Sequence, residues 1–177
     1  MKQTVLSLIL LLTVSASGFA EVQERPLMRY PDIHGECLVF VYGGDIWKAP
    51  AAGGTAVRLT IHDGRELHPK FSPDGKLIAF TAEYDGNGDV YVMNRNGGEI
   101  TRVTFHPGLD RVVGWHPQKN KIMFISGRSH FRYSRMYLIN PDGSGREEMI
   151  MHNIGHGSFS TDGNMLAYNR VAREDRT

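Results

Sequence analysis

Several residue groups in this chain have the types and spacing that chemistry could use. His152 and His156 stand four apart, an interval that on a helix would offer both imidazoles to one zinc ion. Gly155 and Gly157 argue against a helix there, no HExxH glutamate is present, and no third ligand is nearby in sequence, so no metal site is assigned. Asp85-Gly86-Asn87-Gly88-Asp89 opens like a calcium loop. Such a loop then wants Gly at its sixth position and a bidentate Glu at its twelfth, where this chain has Val90 and Asn96. A hairpin connection is the expectation. Ser129-His130 are adjacent, but adjacency does not supply triad geometry, and no G-x-S-x-G elbow occurs. No Gly-rich phosphate loop follows a strand and opens a helix. GRSHFRYSR, residues 127–135, is the one local basic-aromatic cluster. A solvated loop is expected there, with a contact for an acidic peptide terminus as the sharper alternative. His62, His68, His106 and His116 are expected in solvated loops between strands, substrate contact being the alternative. Cys37, the single cysteine, lies in CLVFV and reads as a small buried hydrophobe. No catalytic, cofactor-binding or metal-ligating residue is assigned, and no cofactor is expected.

The elements that would position any site begin after a separable leader. Residues 1–20, MKQTVLSLILLLTVSASGFA, carry one Lys, an apolar run from Val5 to Val14 and a small-residue end at Ala20. That is the layout of a signal peptide, and the run is too short for a transmembrane span of roughly 20 residues. An exported, periplasmic protein without a membrane anchor is therefore expected, with a linker over residues 21–29. The 177-residue chain has 20 Lys+Arg against 19 Asp+Glu, and without Lys2 the mature chain would be formally neutral. Nothing in that balance favours nucleic acid as a partner. One cysteine excludes an intrachain disulfide.

The rest of the chain repeats itself. FSPDGKLIAF (71–80), WHPQKNKIMF (115–124) and FSTDGNMLAY (159–168) follow one another at intervals of 44 residues. Arg58-Leu59-Thr60 recurs as Arg102-Val103-Thr104, and Asp45-Ile46-Trp47 as Asp89-Val90-Tyr91, again 44 on. Arg135-Met136-Tyr137 follows after 46, so a hairpin there gained two residues. The earliest copy, DIHGECLVF, aligns with SPDGKLIAF at 40. Residues 66–104 are the clearest unit: a strand ending near 70–72, a Pro73-Asp74-Gly75-Lys76 turn, strand 77–81, a polar loop, strand 90–94, a turn at Asn96-Gly97-Gly98 and strand 99–104.

Four short antiparallel strands every 40–45 residues are the signature of a β-propeller blade. The fold class is all-β: an incomplete propeller over residues 30–177, with blades starting near 30, 70, 114 and 158. A blade has two faces to bury and needs neighbours on both. Trp47, Tyr91 and Tyr137 recur at one position and read as inter-blade packing. The third copy lacks the Asp-Gly pair, having His116-Pro117-Gln118-Lys119-Asn120, and the fourth has Thr161 in place of Pro73. About three and a half blades are present, and a ring needs at least four. The expectation is the front part of a longer protein or a truncated gene product, with a blade face and a sheet edge left open.

With the repeat in place, the motifs resemble known families. FSPDGKLIAF, DVYVMN and GGEITRVT look like repeats of the periplasmic Tol-system propeller and of peptidase propellers. RYPDIHGECLVFVYGGDIWKAPAAGGTAVRLT (29–60), continuing through HDGRELHPKFSPDGKLIAFTAEYDGNGDVYVM, is similar to the N-terminal six-bladed propeller of exported tricorn-type proteases, as is GHGSFSTDGNMLAYNRVARED near the end. The resemblance runs over residues 27–175. It implies a large, homo-oligomeric serine peptidase in which two propellers precede a PDZ-like module and a distant catalytic core. It implies peptides or unfolded polypeptide as partners, a propeller that filters or channels them, and no catalytic residue in this chain, which alone would hydrolyse no peptide. The alternative is a Tol-type binding propeller with no peptidase core; a third is the propeller of a prolyl-oligopeptidase relative.

Overall fold

Short runs of apolar and β-branched residues, cut by turn residues, give strands and no helix among the described residues. A computed structural model describes residues 27–128, 134–145 and 147–170. The first sheet is β1 (Arg29–His34), β2 (Cys37–Tyr42), β3 (Asp45–Pro50) and β4 (Val57–Arg58). The second is β5 (Glu66–Phe71), β6 (Leu77–Ala82), β7 (Asp89–Asn94) and β8 (Ile100–Arg102). The third is β9 (Asp110–Trp115), β10 (Ile122–Ser126), β11 (Arg135–Ile139) and β12 (Glu148–His152). A two-stranded sheet follows, β13 (Ile154–Phe159) and β14 (Leu166–Arg170). Every pair is antiparallel, and strands lie in each sheet in chain order. The first strands of successive sheets, β1, β5, β9 and β13, touch one another in turn and form the inner wall.

The cores lie between sheets, and strand periodicity explains them. Successive side chains point to opposite faces. In β6, Ile78, Phe80 and Ala82 face the first sheet and pack with Val39, Val41 and Ile46, while Ala79 faces the third. In β10, Ile122 and Phe124 face the second sheet, and Met123 and Ile125 face β13. The middle strands are therefore buried on both faces, which is why IAF and IMF are uninterrupted apolar runs. Tyr91 and Tyr137 sit in these inter-sheet cores, stacked on Phe80 and Phe124. Trp47 departs from that reading. It is only half-buried, lies edge-on to Tyr42, and donates its Nε1–H to Tyr42 O at 3.1 Å. Its face of the first sheet is the one that would meet a preceding blade, and none stands there among the described residues.

Turn chemistry repeats with the strands. Gly75 takes φ +67, and Asp74 Oδ1 accepts from Ser72 Oγ at 2.7 Å and Lys76 N at 3.1 Å. Those bonds stabilise the charged carboxylate and draw Asp74 down to about 2. Ser160, Asp162 and Gly163 rebuild the same turn. In the third copy His116 takes the place of the serine. Its Nδ1 accepts from Gln118 N and Lys119 N, both at 3.2 Å, and Asn120 supplies the left-handed residue at φ +49. The lost Asp-Gly pair thus leaves a turn built by imidazole.

Two registers differ from the sequence reading. The inner strands of the second to fourth sheets begin at Glu66, Asp110 and Ile154, four residues ahead of 70, 114 and 158. Their leading residues include buried acids that resemble loop residues in sequence. The interval of 40 between the first two copies holds for β2, where Val39 matches Ala79. On the inner strand Asp32 pairs with Val39 and Lys70 with Ala79, an interval of 38. The first inner turn is two residues shorter, so Tyr30-Pro31 is the counterpart of His68-Pro69.

Candidate functional site

The inner wall converges on an axial groove. At the turn end of β1, β5, β9 and β13 a cavity of about 350 Å³ is lined by all four inner strands, among them Asp32, Lys70, Trp115 and Ser158. Cross-sheet hydrogen bonds hold this wall together. Lys70 Nζ bonds Asp32 Oδ1 at 3.0 Å, and Phe71 N donates to Asp32 Oδ2 at 2.8 Å. Trp115 Nε1 donates to Lys70 O at 2.9 Å, His34 Nε2 to Pro73 O at 3.1 Å, and Gln118 Nε2 to Thr161 O at 3.1 Å. Each bond ties one sheet to the next. Gly75 shows how close the sheets come: a Cβ there would overlap the His34 imidazole. At Gly163 a Cβ would stand 2.9 Å from His116 Cε1.

Further along the inner strands, each ladder carries a bulge, where an unpaired residue re-aims a side chain. Tyr30 and His68 occupy the first two bulges with φ of +52 and +54, conformations uncommon for residues other than glycine. Their rings pack at 4.1 Å. Burial lowers His68 to about 4, and Arg111, His156 and Lys70 push in the same direction. Partial desolvation and Arg111 also lower His156, which is itself exposed on β13. Arg111 Nη2 donates to Gly155 O at 2.8 Å, joining the third inner strand to the fourth. This end of the groove therefore brings together the Arg111 guanidinium, two imidazoles whose charged forms are disfavoured, and the Tyr30 ring.

A second polar system lies between the sheets and is structural. Arg58 bonds Asp45 at 2.5 Å and Thr60 O at 2.9 Å, and Thr60 Oγ1 accepts from Ile46 N at 2.8 Å. Arg102, Asp89, Thr104 and Val90 repeat this arrangement at 2.7, 2.9 and 2.9 Å. The recurring R-x-T and D-[IV] motifs thus meet in space. Glu66, fully buried, accepts from Ile46 N at 2.9 Å, from Thr60 Oγ1 and from Tyr84 OH. Its counterpart 44 residues on, Asp110, takes Arg128 Nη2 at 2.6 Å, Arg128 standing where Tyr84 stands. Among the described residues Asp110 Oδ1 has no hydrogen-bond partner. Burial raises both acids. In the third sheet Arg135 and Met149 replace the Asp and Arg of this device, and Arg128 also pairs with Glu147 and lies over Phe124 and Tyr137.

The residues singled out in sequence divide clearly. His152 ends the outermost strand of the third sheet and His156 lies on the innermost strand of the next, so their spacing does not bring them to one face. Among the described residues no group of three His, Cys, Asp or Glu could hold a metal ion. Asp85 and Asp89 both bind Arg102, at 2.8 and 2.7 Å, and Asn87 Nδ2 donates to His106 O at 2.9 Å, so the Asp85–Asp89 segment is a hairpin connection bound to protein groups. Cys37 is a buried free thiol on β2. Ser129-His130 and most of the basic-aromatic cluster lie outside the described residues. His62 and His106 are loop residues, each accepting a backbone N–H two residues on at 2.9 Å. His68 and His116 are not solvated loop residues: His68 lies within β5, and His116 is buried in its turn. Sequence reasoning missed the Tyr30–His68–Arg111–His156 set. A signal existed, since His68 and His156 stand 88 residues apart, two repeats, at one position of the unit.

Four-stranded antiparallel sheets stacked side by side, with the first strand of each on a common axis, define a β-propeller, the described residues forming three complete blades and two strands of a fourth. The sequence profile of the tricorn protease N-terminal beta propeller domain matches residues 25–177, and the chain belongs to that family. Tricorn protease homolog 1 of Streptomyces coelicolor is 40% identical over 100 residues, covering 55% of this chain and 9% of the homologue. The crystal structure of the tricorn protease superposes with a TM-score of 0.67 at 24% identity, over 76% of this chain and 14% of that one. TolB from Agrobacterium tumefaciens shares the fold, with a TM-score of 0.65 and 23% identity over 80% of this chain and 53% of that one. The chain thus spans about a tenth of the length of the Streptomyces homologue.

Proposed function

We propose that this chain is part of the non-catalytic N-terminal propeller of an exported, periplasmic, homo-oligomeric serine peptidase of tricorn type, and that the propeller gates or channels peptides along its axis. Membership of the tricorn propeller family over residues 25–177 carries this reading. The axial groove adds to it. Asp32, Lys70, Trp115 and Ser158 bring charge, an aromatic face and a hydroxyl to one cavity. An extended peptide offers backbone amides and varied side chains to such a mixed lining. The leader-like residues 1–20 support export.

Photo-crosslinking of the full chain tests the proposal. A photoreactive amino acid is placed at Ser158, in the groove, and as a control at Val57, 55% exposed on an outermost strand. A labelled unstructured peptide should crosslink from position 158 and not from 57. Equal labelling from both positions, or from neither, would overturn the channel. A serine-reactive phosphonate should leave the chain unlabelled, and robust labelling would overturn its non-catalytic role.

A further inference from the structure

Among the described residues, the donors at the bulge end of the groove form no ion pair with a carboxylate apart from Lys70, which holds Asp32. Tyr30, His68, Arg111 and His156 come from four successive inner strands. Tyr30 and His68 keep left-handed backbone, at φ +52 and +54, a conformation that non-glycine residues adopt where a side chain must be aimed. A guanidinium carries five N–H donors. Among the described residues Arg111 commits one nitrogen, to Gly155 O, and has no carboxylate partner. The described acids on and around these strands have partners of their own: Asp32 pairs with Lys70 at 3.0 Å, Glu83 with Arg65 at 2.9 Å, Asp110, adjacent to Arg111, with Arg128 at 2.6 Å, and Glu66 accepts from Ile46 N, Thr60 and Tyr84. Tyr30 packs on His68 at 4.1 Å, and the charges that act on the His68 ring, those of Arg111, His156 and Lys70, all disfavour its protonation.

We propose that Tyr30, His68, Arg111 and His156 form an oxyanion-binding site on the propeller axis, taking a carboxylate or phosphate group. Arg111 supplies the charge and a planar fork for two oxygens. The imidazole N–H groups of His68 and His156 and the Tyr30 hydroxyl supply further donors. The site stands whether or not peptides travel the groove, because its ligand is one anionic group rather than a chain.

The test reads His68 directly. The His68 ring resonance of the full chain, assigned by its loss in His68→Asn, is followed by NMR from pH 4 to 8. Inorganic phosphate, N-acetyl-dialanine with a free carboxylate, and the same peptide amidated are added separately, with sodium chloride at matched ionic strength as control. An anion beside the ring favours its charged form, so the midpoint should rise by about one pH unit, a tenfold bias. Arg111→Gln should abolish the rise, and Arg111→Lys should keep a smaller one. A response to the free carboxylate alone identifies a peptide end as the source, and an equal response to phosphate identifies a general oxyanion site. The proposal fails if neither anion moves His68 more than chloride does. It fails equally if exposed His152 responds as strongly, or if Arg111→Gln, with an otherwise unchanged amide spectrum, responds like the parent.

Discussion

Replacing Gly75 by alanine separates two costs that a single glycine conceals. The first is backbone: φ +67 is left-handed, and an L-residue there loses about 1–2 kcal/mol. The second is contact, because the added Cβ would overlap the His34 imidazole of the neighbouring sheet. His34 must then leave Pro73 O, to which it donates at 3.1 Å, at a further cost of about 1 kcal/mol. Gly86 is the control. It has φ +95 and nothing within 4 Å of its hypothetical Cβ, so only the backbone cost applies. Restricting the unfolded chain offsets part of the loss equally in both variants. Urea denaturation should place Gly75→Ala about 1 kcal/mol or more below Gly86→Ala. In a double-mutant cycle with His34→Ala that excess should disappear, a coupling of about 1 kcal/mol between residues 41 apart in the chain. Equal losses for the two glycines, or strict additivity with His34→Ala, would refute the reasoning that the first inner strand lies against the turn of the second sheet.

Other perturbations probe the same architecture. Phe80→Ala empties a fully buried position in the first inter-sheet core and should cost about 3–5 kcal/mol by chemical denaturation, whereas Ile61→Ser, at 81% exposure, should stay within about 0.5 kcal/mol. Arg128→Gln strips the buried Asp110 of its partner and should cost about 3 kcal/mol or more, with Asp110→Asn restoring part of the loss in the double variant. Glu66 is held above the ordinary carboxylate range by burial, so the folded state keeps its proton to higher pH than the unfolded state does. Its contribution is therefore complete below the unfolded carboxylate pKa and declines as pH rises through the raised folded one. Stability measured across pH 4–8 should fall less steeply with rising pH in Glu66→Gln than in the parent chain, and parallel profiles would count against the assignment.

Much of the fold was legible because its cause is local. A strand buried on both faces writes an uninterrupted apolar run, and a tight turn writes Asp-Gly, so β6, β10 and the turn before β6 stand out in the sequence. Inter-sheet packing of Tyr91 and Tyr137 was legible through the repeat. What was hidden depends on neighbours distant in the chain. Glu66 and Asp110 look like loop residues until Thr60, Tyr84 and Arg128 are brought against them. His68 and Tyr30 look unremarkable until a bulge turns them toward each other. His116 looks like a free imidazole because nothing in its own strand shows that it replaces a serine in the turn. The two-residue shortening of the first turn is visible only in the pairing of Asp32 with Val39.

The stacking of successive sheets about their first strands is most directly measured at Trp115. Its indole N–H donates to Lys70 O at 2.9 Å across two sheets, while Trp47 donates to Tyr42 O within one sheet at 3.1 Å. With only two tryptophans in the chain, both indole protons are separable by NMR. The account predicts nuclear Overhauser contacts from the Trp115 indole proton to Lys70 and Phe71, with exchange slower than at half-buried Trp47. A Trp115 indole that exchanges freely and shows no contact with residues 70–71, in a chain whose strands are intact, would contradict it.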